Sequence, residues 1–319
     1  MAARALGTCT HFAAGPRLSI LIFHRVLAAL DPLFPSEIDV QRFRRLMELV
    51  RAGFRVLPLD EAVRGLAQGQ LPSRALAITF DDGYADNHDI AAPILHQMGL
   101  PATVFVASGY LDGGRMWNDS AIECVRRSTL SSIDLGFVGL PMVVPLGQVN
   151  ERRSAIDRII SAVKHRGPGE RERLVGDLHR ICGQPRLPSD LMMTRGQVRS
   201  LAESGITIGA HTVSHPILKA VGDEQAELEI AGGRHELERI IDRPVTLFAY
   251  PNGRPGADYS NSHVELVRRL GFAAAVSTAS GHNGPDADLL QLRRFSPWDR
   301  SDAAWVGRLA WSHAWKPAS

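Results

Sequence analysis

Short runs of β-branched and aliphatic residues alternate along this chain with longer amphipathic segments. That is the signature of repeated strand–helix units around a parallel sheet. Leu18–Phe23, Ala75–Phe80, Ala102–Ala107, Ile206–Ala210, Val245–Tyr250 and Ala273–Ser277 read as buried strands, with a shorter one at Phe54–Leu57. Between them, Asp39–Ala52 places Val40, Phe43, Leu46, Met47 and Val50 at helical spacing and stops at Gly53. Leu59–Gln68, with Asp60 as its N-cap, His88–Gln97, closed by Gly99, Asp223–Ile241 and Ser262–Leu270 read as further helices. The alternation breaks between about 112 and 195. This stretch carries a Leu/Val-rich segment, Ile133–Val149, and one charged helical run, Glu151–Leu178. It reads as a mostly helical insertion between two core strands of a single domain spanning 1–319. The tail at about 297–319, with Trp298, Trp305, Trp311 and Trp315, reads as a last helix packed on the body.

Composition narrows the function classes. The 36 basic and 34 acidic residues leave a net charge of +2, which supports neither nucleic-acid binding nor attraction to an anionic membrane. No apolar run approaches the roughly 20 residues of a transmembrane helix. No uninterrupted apolar stretch precedes the first strand, so a cytoplasmic location is the default expectation. Cys9, Cys124 and Cys182 form neither a metal-binding pattern nor a disulfide framework and are expected as reduced thiols.

The candidate chemistry sits where strands end. Four strand-like runs stop at His24, at Asp81-Asp82-Gly83, at His211 and at Pro251-Asn252-Gly253. In a barrel of parallel strands such ends converge on one face. His211 and His215 can present two imidazoles to one side of a turn, and a carboxylate from 81–82 completes a facial ligand set with open positions. The other carboxylate is then free for base chemistry. Singly, each pair reads as structural; together they point to a hydrolytic metal centre.

Thr79-Phe80-Asp81-Asp82-Gly83 and His211-Thr212-Val213-Ser214-His215-Pro216 resemble the first two signature motifs of the polysaccharide deacetylase (NodB-homology) family, carbohydrate esterase family 4. The resemblance implies an α/β fold, a distorted (β/α)7 barrel, and a divalent cation, Zn2+ first, with Co2+, Ni2+ or Mn2+ as alternatives. It implies Asp82, His211 and His215 as metal ligands and Asp81 as general base on the attacking water. Phe248-Ala249-Tyr250-Pro251-Asn252-Gly253 lacks the arginine of the usual third motif and is similar to the exopolysaccharide branch, which includes poly-β-1,6-N-acetylglucosamine de-N-acetylases. There the backbone N–H of Asn252 corresponds to the oxyanion donor. Arg294 is the candidate to orient the base, ahead of Arg293. His24, in Phe23-His24-Arg25-Val26, is the candidate general acid in place of a late-motif histidine.

The expected activity is hydrolysis of N-acetyl groups on amino-sugar residues of a glycan or glycan precursor, the expected partner. A non-sugar amide on the same site and a non-catalytic glycan-binding relative are the alternatives; the intact Asp81, Asp82, His211 and His215 argue against the last. Trp117-Asn118-Asp119 reads equally as a sugar-subsite border or as an anchor for the insertion. His88, His96, His263, His282 and His313 read as surface or incidental positions.

Overall fold

Ser19–Phe23 (β1) and Ala75–Phe80 (β3) run side by side in parallel, and every residue of both is buried. Continuous apolar runs of this kind suit strands covered on both faces. The computed structural model describes residues 17–296, 301–305, 307 and 308. In chain order, β1 is followed by Val40–Gly53 (α1), the two-residue stub Arg55–Val56 (β2), Leu59–Ala67 (α2) and β3. Ala92–Met98 (α3) and Thr103–Val106 (β4) come next. After the insertion the chain continues through Arg195–Glu203 (α7), Thr207–Ala210 (β7), Asp223–Ile241 (α8), Leu247–Ala249 (β8), Asn261–Arg269 (α9), Ala274–Ser280 (β9) and Leu292–Arg294 (β10).

The main sheet has the parallel order β1-β3-β4-β7-β8-β9-β10, with β2 paired only to β3. Backbone bonds from Phe295 N–H to the Ile20 carbonyl (2.7 Å) and from Ile22 N–H to the Phe295 carbonyl (3.1 Å) bring the two edges together. The result is the distorted seven-stranded barrel, with helices around it. Inside lie Leu18, Ile20, Ala75, Ala77, Phe105, Ala249 and Leu292, with α2 packed against the same cluster. Outside, Phe23, Phe43 and Phe80 meet in a ring cluster with centroids 5.3 to 5.8 Å apart. It pins α1 to the sheet, and each such ring contributes about 1.5–3 kcal/mol by burial.

Several local expectations shift. Pro58, not Asp60, precedes the first residue of α2; Asp60 lies inside the first turn and pairs with Arg64 at 2.9 Å. The helix expected from His88 begins as a wide π turn, Asn87–Ala91, and becomes α-helical only at Ala92; Gly99 closes it in the left-handed region. The single charged helix expected over 151–178 is two helices, Val149–Val163 (α5) and Pro168–Ile181 (α6), because Gly167-Pro168 interrupts it. With Trp117–Arg127 (α4) and the hairpin Ser132–Asp134 (β5) and Val143–Pro145 (β6), these helices enclose their own apolar cluster around Ile133, Leu146, Ile156 and Leu178. Cys124 and Cys182 are free thiols in that cluster, pushed up to about 12 and about 11 by burial. His263 is not incidental: it is buried and its Nδ1 accepts the Ser260 N–H at the start of α9 (3.0 Å). Of the tail, Trp305 is buried in the main core, on a helical turn tied to α1 by Arg42 and Arg45 at Asp302. Trp298, Trp311 and Trp315, with Cys9 and His313, lie outside the described residues. Among the described residues no helix is long and apolar enough to cross a membrane.

Candidate active site

Strand parity divides the Asp81-Asp82 pair. Ala75, Ala77 and Thr79 alternate with the outward Leu76, Ile78 and Phe80, so Asp81 falls on the barrel-interior side. There it meets Arg294, which β10 turns inward. Arg294 Nη1 and Nη2 donate to the two Asp81 carboxylate oxygens at 2.7 and 2.6 Å, and its Nε donates to the Ser277 carbonyl at 2.8 Å. Both side chains are within 3% of complete burial. Burial by itself would raise the Asp81 carboxyl, but the charge and hydrogen bonds of Arg294 hold it below the ordinary range.

Asp82 lies past the strand end, at φ 77°, and turns toward the His motif instead. Its Oδ1 is 3.4 Å from Nε2 of both His211 and His215, and one ligand atom from each of the three residues lies within 4.8 Å of the others. The His211 Nδ1 is 2.7 Å from the Ala249 carbonyl, which only accepts, so Nδ1 carries a proton and a neutral ring presents a lone pair at Nε2. Asp82 Oδ1 is buried with no hydrogen-bond donor. Three acceptors therefore face one point, an arrangement that only a cation or a proton satisfies. The donor set, two imidazoles and a carboxylate, fits a divalent metal of the zinc type. The two rings differ in how readily they are protonated. Burial lowers His215 to about 4, leaving it neutral and ready to ligate. Burial also disfavours charge on His211, yet Asp82 and Asp81 beside it raise its pKa, so a proton competes for the same position.

The loop carrying both histidines is held by α8. Glu229 Oε2 accepts the Val213 and Ser214 N–H groups (3.0 and 2.7 Å), and its Oε1 accepts the Ser214 hydroxyl (2.6 Å). Gly232 and Gly233 lie within this continuous helix where the loop presses on it; a Cβ at Gly233 would stand 2.7 Å from the Thr212 carbonyl. Glycine in a helix interior costs about 1 kcal/mol, and close approach is the compensation. Thr212 and His215 are in the left-handed region, at φ 66° and 52°, and the Thr212 hydroxyl accepts the His215 N–H at 3.0 Å.

A cleft of about 480 Å³ opens at this centre, lined by His24, Asp82, Tyr84 and the Asn118-Asp119 end of α4. His24 is exposed at the tip of β1, its carbonyl held by the Asn87 side chain (2.8 Å). Asp119, expected only as part of a possible sugar border, is 5% exposed, and its two oxygens receive the Tyr84 hydroxyl at 3.0 and 3.2 Å. Burial, with the charge of Asp82 nearby, pushes its carboxyl up to about 7. Arg25 lies over the Tyr84 ring at 4.7 Å and pairs with Asp86 at 2.8 Å. Asn252 stands at the end of β8, beside β7, at φ 58°. The Thr278 hydroxyl donates to its carbonyl at 2.9 Å, and its N–H has no partner among the described residues. Arg293 is exposed and its N–H donates to Asn283, so it takes no part in the Asp81 pair. Tyr84, Asp86 and Glu229 escaped the sequence reading; the mid-helix Gly232-Gly233 pair was the available signal for the last.

The sequence profile of the polysaccharide deacetylases matches residues 68–131 and 175–275, just over half of the chain and all four residues of the two motifs. The chain belongs to the polysaccharide deacetylase family. YxkH of Bacillus subtilis (strain 168), a protein assigned to the polysaccharide deacetylases, is 21% identical over 280 residues, covering 87% of this chain and 70% of its own length. Two solved structures share the deacetylase fold. The Streptococcus pyogenes deacetylase PplD, in complex with acetate, has a TM-score of 0.61 at 18% identity, covering 89% of this chain and 93% of its own. IcaB from Ammonifex degensii has a TM-score of 0.58 at 19% identity, covering 94% and 98%. Residues 132–174, which include β5, β6 and α5, fall between the two segments matched by the family profile.

Proposed function

We propose that this protein is a metal-dependent de-N-acetylase acting on amino-sugar residues of an exopolysaccharide or its precursor, releasing acetate and a free amine. The observation that carries the reading is the juxtaposition of two devices on one barrel face: three acceptors converging at Asp82, His211 and His215, and the Arg294-braced Asp81 one residue away.

In this reading Asp82, His211 and His215 hold the cation, Zn2+ first. When bound it supplies Lewis acidity, polarising an amide carbonyl and lowering the pKa of a bound water. Asp81 takes the proton of the attacking water. Arg294 keeps it ionised and fixes its orientation, trading some basicity for a defined geometry. The free Asn252 N–H is the donor for the oxygen that becomes negative as the carbonyl carbon turns tetrahedral. As the C–N bond breaks, His24 delivers a proton to the leaving amine; its exposed place in the cleft gives it access to bulk solvent for reprotonation. The deacetylase fold shared with PplD and IcaB supports the class of chemistry.

The test is acetate release from N-acetylglucosamine oligomers and from simple acyl amides, by protein stripped of metal and reloaded with Zn2+, Co2+, Ni2+ or Mn2+. Release from the oligomers that requires reloading is the expected result. Release from acyl amides alone would move the substrate class, and no release with any metal would overturn the reading.

A further inference from the structure

α4 has a cavity on each side. Asn118, Asp119, Ile122, Glu123 and Arg126 line the catalytic cleft, whereas Trp117 and Ser120 line a second cavity of about 430 Å³. Its other walls are Tyr110, Arg115, Arg171, the start of α6 and Ser214. Ser214 precedes His215, and its carbonyl accepts the Tyr110 hydroxyl at 2.8 Å, so this cavity abuts the back of the metal-binding loop.

Three features of the cavity share one sign. Arg171 is 7% exposed, its Nε has no hydrogen-bond partner, and among the described residues no carboxylate pairs with it. Its guanidinium faces the Trp117 ring at 5.5 Å, and the Tyr110 side chain is the other group that favours its charge. Burial without a counter-charge lowers its pKa. Arg115 is half-buried; it donates to the Pro188 carbonyl through Nη1 and also leaves its Nε unpartnered. The third feature is the N-terminus of α6. Gly167 supplies no side-chain cap, Pro168 has no N–H, and the Arg171 N–H is taken by the Gly167 carbonyl at 2.9 Å, so the N–H groups of Gly169 and Glu170 are the two first-turn donors with no partner among the described residues. Glu172, at the exposed rim, is the one acidic side chain in the lining. A buried, unpaired charge is destabilising, and a native chain that keeps one calls for a reason, of which a bound ion or ligand is one. Guanidinium forks and helix N-termini both select oxyanions.

We propose that this cavity is an oxyanion subsite for a carboxylate or phosphate group, carried by an acidic sugar or sugar phosphate of the glycan being deacetylated. The assignment to the glycan rests on the function proposed above; the anion site does not. Trp117 then serves both of the alternatives offered for it, packing against the apolar cluster of the insertion and lining the subsite.

Binding is read without turnover, so its failure and that of the deacetylase reading are separable. Wild-type protein in low-salt, phosphate-free buffer is titrated with inorganic phosphate, glucuronate and N-acetylglucosamine 1-phosphate, following tryptophan fluorescence and melting temperature. Saturable binding is expected, weakened at least tenfold by Arg171→Met and several-fold by Arg115→Gln. Without anion, Arg171→Met is expected to melt at or above the wild-type temperature, because it removes an unpaired buried charge. The sugar phosphate binding tenfold more tightly than phosphate supports a glycan-borne group; equal binding keeps the anion site and overturns the glycan assignment. No saturable binding of any probe, or unchanged affinity in both variants, overturns the proposal.

Discussion

Arg294 and Asp81 are joined by two parallel hydrogen bonds inside the barrel, between strands 213 residues apart in the chain. The pair closes the fold and orients the proposed base at once. Arg294→Ala leaves a buried carboxylate unpaired and is expected to cost about 3–5 kcal/mol of stability along with nearly all turnover. Arg294→Lys keeps the charge but loses the fork, so it should fold better than Arg294→Ala while turnover falls on the order of 10²-fold. Thermal melts and kcat for the two variants check this; equal turnover in Lys and wild type would remove the orienting role.

Asp81→Asn and Asp82→Asn should fail differently. The first keeps the three ligands and is expected to retain metal while losing turnover. The second removes a ligand and should lose metal on dialysis. Metal content per chain, measured beside acetate release, separates them, and the reverse pattern would exchange the two roles.

His24→Ala should leave metal content unchanged and lower kcat by about 10²–10⁴, the usual contribution of a general acid. An acetylated substrate with a better leaving group should recover part of the loss. Unchanged turnover with the ordinary substrate would show that His24 is not the proton donor.

In the proposed reading Glu229 acts on metal affinity through the loop it grips. Glu229→Ala leaves the Val213 and Ser214 N–H groups without their acceptor, and metal affinity should fall about 10–100-fold, as for other groups that orient ligands. Competition with a chromogenic chelator measures this. Glu229→Gln, which keeps one acceptor, should fall between wild type and alanine.

Asp119 makes stability depend on pH in a defined direction. Its folded pKa, about 7, lies above the ordinary value of 3.8, so the folded state binds the extra proton between those limits. Stability from this group is present below pH 4 and is lost as pH rises through 7. Asp119→Asn has no such proton, so in chelator-treated protein its unfolding free energy should gain on wild type between pH 4 and 7, by an amount on the order of a few kcal/mol. Parallel curves would contradict the placement of this carboxyl.

The fold was readable where one side of a strand or helix had a single job. β1, β3 and β4 are nearly uninterrupted apolar runs, and α1 has a clean buried face, so both appear in the sequence with their edges close to right. β10 did not, because its three residues, Leu292–Arg294, are two-thirds arginine and become a strand only by pairing with β9. The insertion blurred for a related reason: α5 and α6 carry similar charged faces, and the short connector 164–167, ending at Gly167 before Pro168, is all that separates them. The candidate metal ligands were visible because each of the two motifs that carry them is a short contiguous stretch. The Tyr84–Asp119 contact, the Glu229 grip and the lone Arg171 depend on residues far apart in sequence and leave no periodic trace.

Asp82, Thr212, His215 and Asn252 all have positive φ, between 52° and 77°, a region in which glycine is at ease and threonine is not. Optimising this chain for heat resistance alone would therefore pull it toward glycine at, or beside, the positions proposed to carry its chemistry. A Thr212→Gly change, for instance, would relax the backbone while releasing the His215 N–H that the threonine hydroxyl anchors. Directed evolution toward a hardier enzyme would have to hold these four codons fixed and seek its gains in the outer helices.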